Sequence, residues 1–107
     1  MGNIFEREEP TQEEQNHCAK IIEQAKLHKG NNNELGKIFK REWSNIIKLH
    51  NDRKLCVHHF TPCTKIVSLS SDKQLFIIYQ QFVNRWNSGD LSSNDYNIIT
   101  NYVDKFY

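Results

Sequence analysis

The sequence predicts an all-α or mostly α domain of about four amphipathic helices, with a short extended or hairpin segment between helices two and three. Three observations predict this fold. Apolar residues recur at intervals of three and four over most of the chain, residues typical of helix caps flank these patterns, and β-branched residues concentrate in one stretch. The 107 residues fit a single domain. Residues 1–10 lack periodicity and are predicted to form an N-terminal arm.

The first helix is predicted from Thr11 to Lys29. Thr11 and Glu14 have the spacing of a capping box, in which each side chain accepts a hydrogen bond from the other residue's backbone. Gly30 is expected to end the helix, because glycine adopts the left-handed cap conformation without a Cβ penalty. The apolar face of this helix consists of Cys18, Ile21, Ile22 and Ala25.

The strongest helical pattern follows the asparagine run at 31–33 and ends near Asp52. Its apolar stripe has the spacing of one helix face and comprises Leu35, Ile38, Phe39, Trp43, Ile46, Ile47 and His50. Basic residues occupy the opposite stripe. Helix two is therefore predicted to carry an apolar stripe with aromatic residues on one face and a basic stripe on the opposite face.

The stretch between Leu55 and Leu69 interrupts the helical pattern. The segments LCVHHF and KIVSL are rich in β-branched and aromatic residues, and Thr61-Pro62-Cys63 separates them. This favours two short extended segments joined by a turn, with an irregular loop or an early helix as alternatives.

Helical spacing returns after Ser71, which together with Gln74 resembles a capping box. Gly89 is expected to end helix three, and Ser92 or Ser93 to begin helix four. The apolar stripe of helix three contains Leu75, Phe76, Tyr79, Phe82, Val83 and Trp86, and that of helix four contains Tyr96, Ile99, Tyr102, Val103 and Phe106.

Composition and charge exclude several classes. The net charge is +1, but residues 1–25 carry six acidic and two basic side chains, whereas residues 26–65 carry nine basic and three acidic ones. No apolar run is long enough for a transmembrane segment or resembles a secretory signal. The odd number of cysteines argues against a disulfide framework. These features predict an intracellular protein of the cytoplasm or an organelle interior, and the richness in Asn, Lys and Ile is compatible with an AT-rich genome such as that of a virus.

The densest set of chemically active side chains lies between residues 56 and 63. Cys56, His58 and Cys63 are candidate zinc ligands, with His59 pointing away if the segment is a strand. The paired spacing of common zinc sites is absent, so the default expectation is no cofactor. Neither a nucleophile motif nor a phosphate-binding glycine loop is present, and the chain is predicted not to be an enzyme.

By elimination, the sequence predicts a non-catalytic protein-binding module, either a small adaptor or inhibitor or a subunit of a larger assembly. The partner is another protein of unspecified identity, self-association is left open, and Trp43, Phe82 and Trp86 are the candidate contact residues. The alternative is a nucleic-acid-binding accessory protein. Its candidate contacts are Lys37, Lys40, Arg41, Lys48, Arg53 and Lys54. A second alternative is a small zinc-stabilised module that uses Cys56, His58 and Cys63.

Overall fold

The computed structural model describes residues 9–107, and these residues form five α-helices and no β-strand. The helices are α1 (Gln12–Leu27), α2 (Asn32–Asn51), α3 (Thr61–Leu69), α4 (Lys73–Ser88) and α5 (Ser93–Phe106), and a 3-10 helix (Val57–Phe60) leads directly into α3. The all-α prediction is confirmed, with one helix more than expected. Most of the predicted N-terminal arm, residues 1–8, lies outside the described part of the chain.

The prediction of an extended or hairpin segment between helices two and three is wrong, because this region is helical. Pro62 lies in the first turn of α3, where its missing N–H leaves no helical hydrogen bond unmade. Cys63, Ile66 and Val67 recur at helical spacing and are buried. Their packing against the core outweighs the β-propensity on which the prediction was based.

Local capping interactions fix where the helices begin and end. The Thr11 hydroxyl accepts the Glu14 N–H at 3.1 Å, and the Glu14 carboxylate accepts the Thr11 N–H at 2.9 Å, as the capping-box pattern predicts. Asp72, rather than Ser71, caps α4 by accepting the Leu75 N–H at 3.1 Å. Gly89 ends α4 with φ of +79°, a conformation that favours glycine.

Helix α2 is the central element, since it packs against α3 on one side and α5 on the other. Its Trp43 side chain is fully buried and lies 5.0 Å from the Phe82 ring, edge to face, and 6.2 Å from the Tyr96 ring. The Trp43 indole N–H donates to the Thr100 hydroxyl at 3.0 Å. One residue of α2 therefore joins α4 and α5 by ring packing and also satisfies its own polar atom.

The end of α5 is attached to α2 and α4 through a second set of contacts. The Tyr102 and Tyr107 hydroxyls both donate to the Asp72 carboxylate, which also caps α4. The Tyr107 ring lies directly against Gly36 of α2, where a Cβ atom would overlap it. The backbone conformation of Gly36 is an ordinary helical one, which any residue can adopt. Glycine is therefore required here by the close packing of Tyr107 and not by the backbone.

We expect Gly36→Ala to destabilise the protein, although alanine is the better helix former by about 1 kcal/mol. The new methyl group must displace the Tyr107 ring from Asp72, and overpacking of this kind costs roughly 1–3 kcal/mol. Urea unfolding should show this loss. In a Tyr107→Ala background the same substitution should instead raise the free energy of unfolding, and a loss of equal size in both backgrounds would disprove the packing explanation.

The phenol of Tyr102 makes stability sensitive to alkaline pH. Burial, followed by the hydrogen bond to Asp72 and its negative charge, raises the pKa of Tyr102 to about 12. Since the unfolded phenol ionises near pH 10, its contribution is complete below that pH and is lost as pH rises towards 12. Urea midpoints measured from about pH 9 to 11.5 should fall more steeply for the wild type than for Tyr102→Phe. Parallel pH profiles would contradict this assignment.

Candidate functional site

A groove of about 930 Å³ runs between α1 and α2, and we call it the α1/α2 groove. It exists because α1 packs mainly against α3 and makes few contacts with α2. Most of its exposed surface is apolar. Histidine and glutamate side chains nevertheless project into it, and they come from α1, α2 and the 3-10 helix: Glu14, His17, Glu42, His58 and His59.

Three of these side chains form what we call the Glu14 cluster, which consists of Glu14, His58 and His59. The Glu14 Oε1 atom lies 3.2 Å from His58 Nε2, and the Oε2 atom lies 2.8 Å from His59 Nε2. Both imidazole side chains are mostly buried. The carboxylate that caps α1 thus also attaches the 3-10 helix to α1.

The position of the proton on His59 follows from its neighbours. The Cys56 backbone N–H donates to His59 Nδ1 at 2.8 Å, so Nδ1 must present its lone pair. The proton of the neutral ring therefore lies on Nε2, which donates to Glu14.

The three donor atoms of the Glu14 cluster lie within 4.8 Å of one another, a spacing that one metal ion could bridge. An ion would, however, need the lone pair on His59 Nε2, where the proton lies. Metal-bound histidines usually donate their second N–H to an oxygen, whereas His59 Nδ1 accepts a backbone N–H. The cluster therefore fits an internally hydrogen-bonded connection between two elements better than a metal centre.

A second carboxylate, Glu42, lies in the wall of the α1/α2 groove. It is the only charged residue that is buried within the described part of the chain, with 6% of its surface exposed. His17 Nε2 lies 3.1 Å from each of its oxygens and must donate, because a carboxylate only accepts. His17 itself is half exposed at the edge of the groove. Glu42 is thus buried, and within residues 9–107 its hydrogen-bond donor is the imidazole of His17.

The cysteines beside Glu42 are poor nucleophiles. Burial, and secondly the negative charge of Glu42, raises the pKa of the Cys18 thiol, and the same two causes raise that of the fully buried Cys63 further. A thiol with a raised pKa remains protonated at neutral pH, whereas the reactive form is the thiolate.

The structure does not bring the predicted zinc ligands Cys56, His58 and Cys63 together. Cys63 faces the core from the first turn of α3, and the Cys56 thiol donates to the Lys54 carbonyl at 3.7 Å. His58 points instead towards α1, where it meets Glu14. In a strand, Cys56 and His58 would have lain on the same face. Because this region is helical, the two thiols lie apart from the imidazoles.

The predicted protein-contact residues differ in accessibility. Trp43 and Phe82 are buried in the core, at 1% and 2% exposure, so their side chains pack the fold and do not reach a partner. Trp86 is half buried at the edge of a smaller groove of about 460 Å³ between α3 and α4. Only Trp86 remains a candidate contact. The sequence predicts correctly that these residues lie on the apolar stripes of their helices. That Trp43 and Phe82 face inwards follows from the packing of α2 against α4 and α5.

The predicted basic stripe lies on the surface. Lys37 and Lys40 form ion pairs with Glu34, at 3.5 Å, and with Asp104, at 3.8 Å. The other members, Arg41, Lys48, Arg53 and Lys54, are exposed. Part of the positive charge is therefore balanced by acids of α2 and α5.

Comparison of the chain with protein-family models, curated proteins and solved structures finds no match in any of the three. No helix in residues 9–107 has the length and hydrophobicity needed to cross a membrane.

Sequence reasoning missed two features of this site. Glu14 was identified as a helix-capping residue, but nothing in the sequence indicates that residues 44 and 45 positions later complete its hydrogen bonds. Glu42 was not identified as a functional residue. Its position among the apolar residues of α2, one residue before Trp43, was the available signal, because it places a charge near the buried stripe.

We expect Glu14→Gln to lower the free energy of unfolding by about 1–3 kcal/mol, because the amide nitrogen would meet a donor where an oxygen now accepts. Urea unfolding at neutral pH measures this effect. Glu13→Gln removes the same charge from the first turn of α1 at an exposed position. That control should change stability by less than about 0.5 kcal/mol, and equal losses in the two variants would mean that the cluster adds nothing.

Proposed function

We propose that the protein is a non-catalytic protein-binding module, and that the α1/α2 groove is where it binds its partner. The observation that carries this proposal is the groove itself. Its exposed surface is mostly apolar and carries a few fixed polar groups, which is the composition of sites that hold a partner in one orientation. The apolar part is formed by Ala19, Ile21, Ile22, Leu49 and Pro62.

The Glu14 cluster and the Cys18 thiol support binding rather than catalysis. Both nitrogens of His59 are used in structural hydrogen bonds, and the Glu14 carboxylate accepts from two imidazoles and a backbone N–H. The thiol of Cys18 has a raised pKa, which disfavours the nucleophilic thiolate. A general base or a nucleophile needs a group that is free to exchange a proton or attack a substrate.

The shape of the groove favours a helical partner segment. Two of its walls are helices that make few contacts with each other, so a third helix lying between them would bury an apolar face of its own, as in other helix-in-groove complexes. We therefore infer an adaptor, inhibitor or assembly subunit that receives an amphipathic helix from another protein.

The thiols support an intracellular location. Cys18, Cys56 and Cys63 are all free, and free thiols persist in reducing compartments. The nucleic-acid alternative rests on the basic stripe alone, and two of its lysines are paired with acids. Salt separates the two functions, because phosphate contacts weaken steeply as salt increases whereas an apolar interface does not.

We expect Ala19→Trp to abolish capture of the partner. Ala19 is exposed on α1 and lines the groove, so an indole there fills the space that a partner needs. Tagged protein expressed in its native cells would be purified at low and at high salt, and bound molecules identified by mass spectrometry. Wild type should retain one protein in stoichiometric amount at high salt, and Ala19→Trp should lose it.

Asn97→Trp is the matched control, since Asn97 is exposed on α5 and does not line the groove. It should retain the same protein. Partner capture that Ala19→Trp leaves unchanged would place the interface elsewhere, and nucleic acid that is captured only at low salt would favour the alternative function.

A further inference from the structure

The α1/α2 groove contains a buried carboxylate whose charge is incompletely balanced. Only 6% of Glu42 is exposed, and a carboxylate is costly to bury unless charges or hydrogen bonds compensate. A carboxylate offers about four lone-pair positions. The single N–H of His17 is shared between its two oxygens and cannot fill all of them.

The other groups around Glu42 do not supply a positive charge. The neighbouring thiols of Cys18 and Cys63 are neutral at pH 7, because their pKa values are raised by burial and by Glu42 itself. Two basic side chains, Lys20 and Arg41, line the same groove. Within residues 9–107, however, neither forms an ion pair with Glu42.

We propose that Glu42 receives a cationic side chain, an arginine or a lysine, from the helix that the α1/α2 groove binds. The proposal rests on the proposed function and specifies the chemistry of its partner. The apolar walls would contact the methylene stem of the incoming side chain while its charged head reaches Glu42. An arginine suits the site best, because a guanidinium forms two parallel hydrogen bonds with one carboxylate.

Charge complementarity is the reason for choosing a cation. Three carboxylates, Glu13, Glu14 and Glu42, line the groove against two basic side chains, Lys20 and Arg41. The imidazoles of the Glu14 cluster donate their hydrogen bonds to a carboxylate rather than to a ligand. A cation that reaches Glu42 in a partly enclosed apolar site gains more than it would at an exposed acid. An exposed carboxylate such as Glu23, which pairs with Lys26 at 3.4 Å, offers no such gain.

The test uses two small probes of nearly the same shape, benzamidinium and neutral benzamide, with the full chain labelled with ¹⁵N. Amide chemical shifts would be followed by NMR during titration. We expect benzamidinium to shift amides of α1 and α2 around the groove and to bind about tenfold more tightly than benzamide, the ratio expected when one charge-assisted hydrogen-bond pair is added.

Variants locate the binding charge. Glu42→Gln should remove the preference for benzamidinium and leave benzamide binding unchanged, whereas Glu23→Gln should behave as the wild type. Equal affinities of the wild type for the two probes, or a preference that survives in Glu42→Gln, would overturn the proposal. The comparison of the two probes on the wild type does not depend on any variant being folded. The NMR spectrum of Glu42→Gln shows directly whether that variant is folded.

This inference and the proposed function fail in different ways. If Ala19→Trp abolishes partner capture but benzamidinium has no preference, the groove binds a partner without a cation at Glu42. If benzamidinium prefers the groove but Ala19→Trp retains the partner, the carboxylate binds cations but the protein interface lies elsewhere, and the proposed partner chemistry is wrong.

Discussion

The packing of α2 through Trp43 is the constraint on which the rest of the fold depends. Its indole ring contacts aromatic rings of α4 and α5, and its N–H is satisfied by Thr100 of α5. Removing so large a buried ring typically costs 3–5 kcal/mol. Because α2 uses this face for α4 and α5, and packs α3 as well, little of its surface remains for α1.

The α1/α2 groove is a consequence of that arrangement. Helix α1 buries only Ile21 and Ala25 and packs chiefly against α3. Its position near the 3-10 helix is set by hydrogen bonds from His58 and His59 to Glu14 rather than by extensive apolar contact. A helix with few buried side chains belongs to the less stable part of a fold, so the polar contacts matter more for α1 than they would for α2.

Local sequence patterns predicted most helices because those helices depend on local interactions. Each of these signals is local in the sequence. The capping box at Thr11 and the stop at Gly89 depend on residues a few positions away, and the stripe around Trp43 repeats at intervals of three and four residues. Helix α3 is predicted only as an alternative to extended segments, because residues such as Ile66 and Val67 favour strands in isolation and burial against other elements makes them helical. The Glu14 cluster could not be predicted, since Glu14 lies more than 40 residues before His58 and His59. The three side chains meet only after α1 and α3 pack together.

Glu14 and Glu42 are two carboxylates in the same groove whose surroundings differ. Glu14 accepts hydrogen bonds from two imidazoles and a backbone amide, and its position at the start of α1 adds the favourable field of the helix N-terminus. Glu42 lies inside α2, is more deeply buried and accepts from one imidazole. A substitution at Glu14 should therefore be seen in stability, whereas a carboxylate that the fold itself compensates incompletely is the better candidate for a group retained for binding.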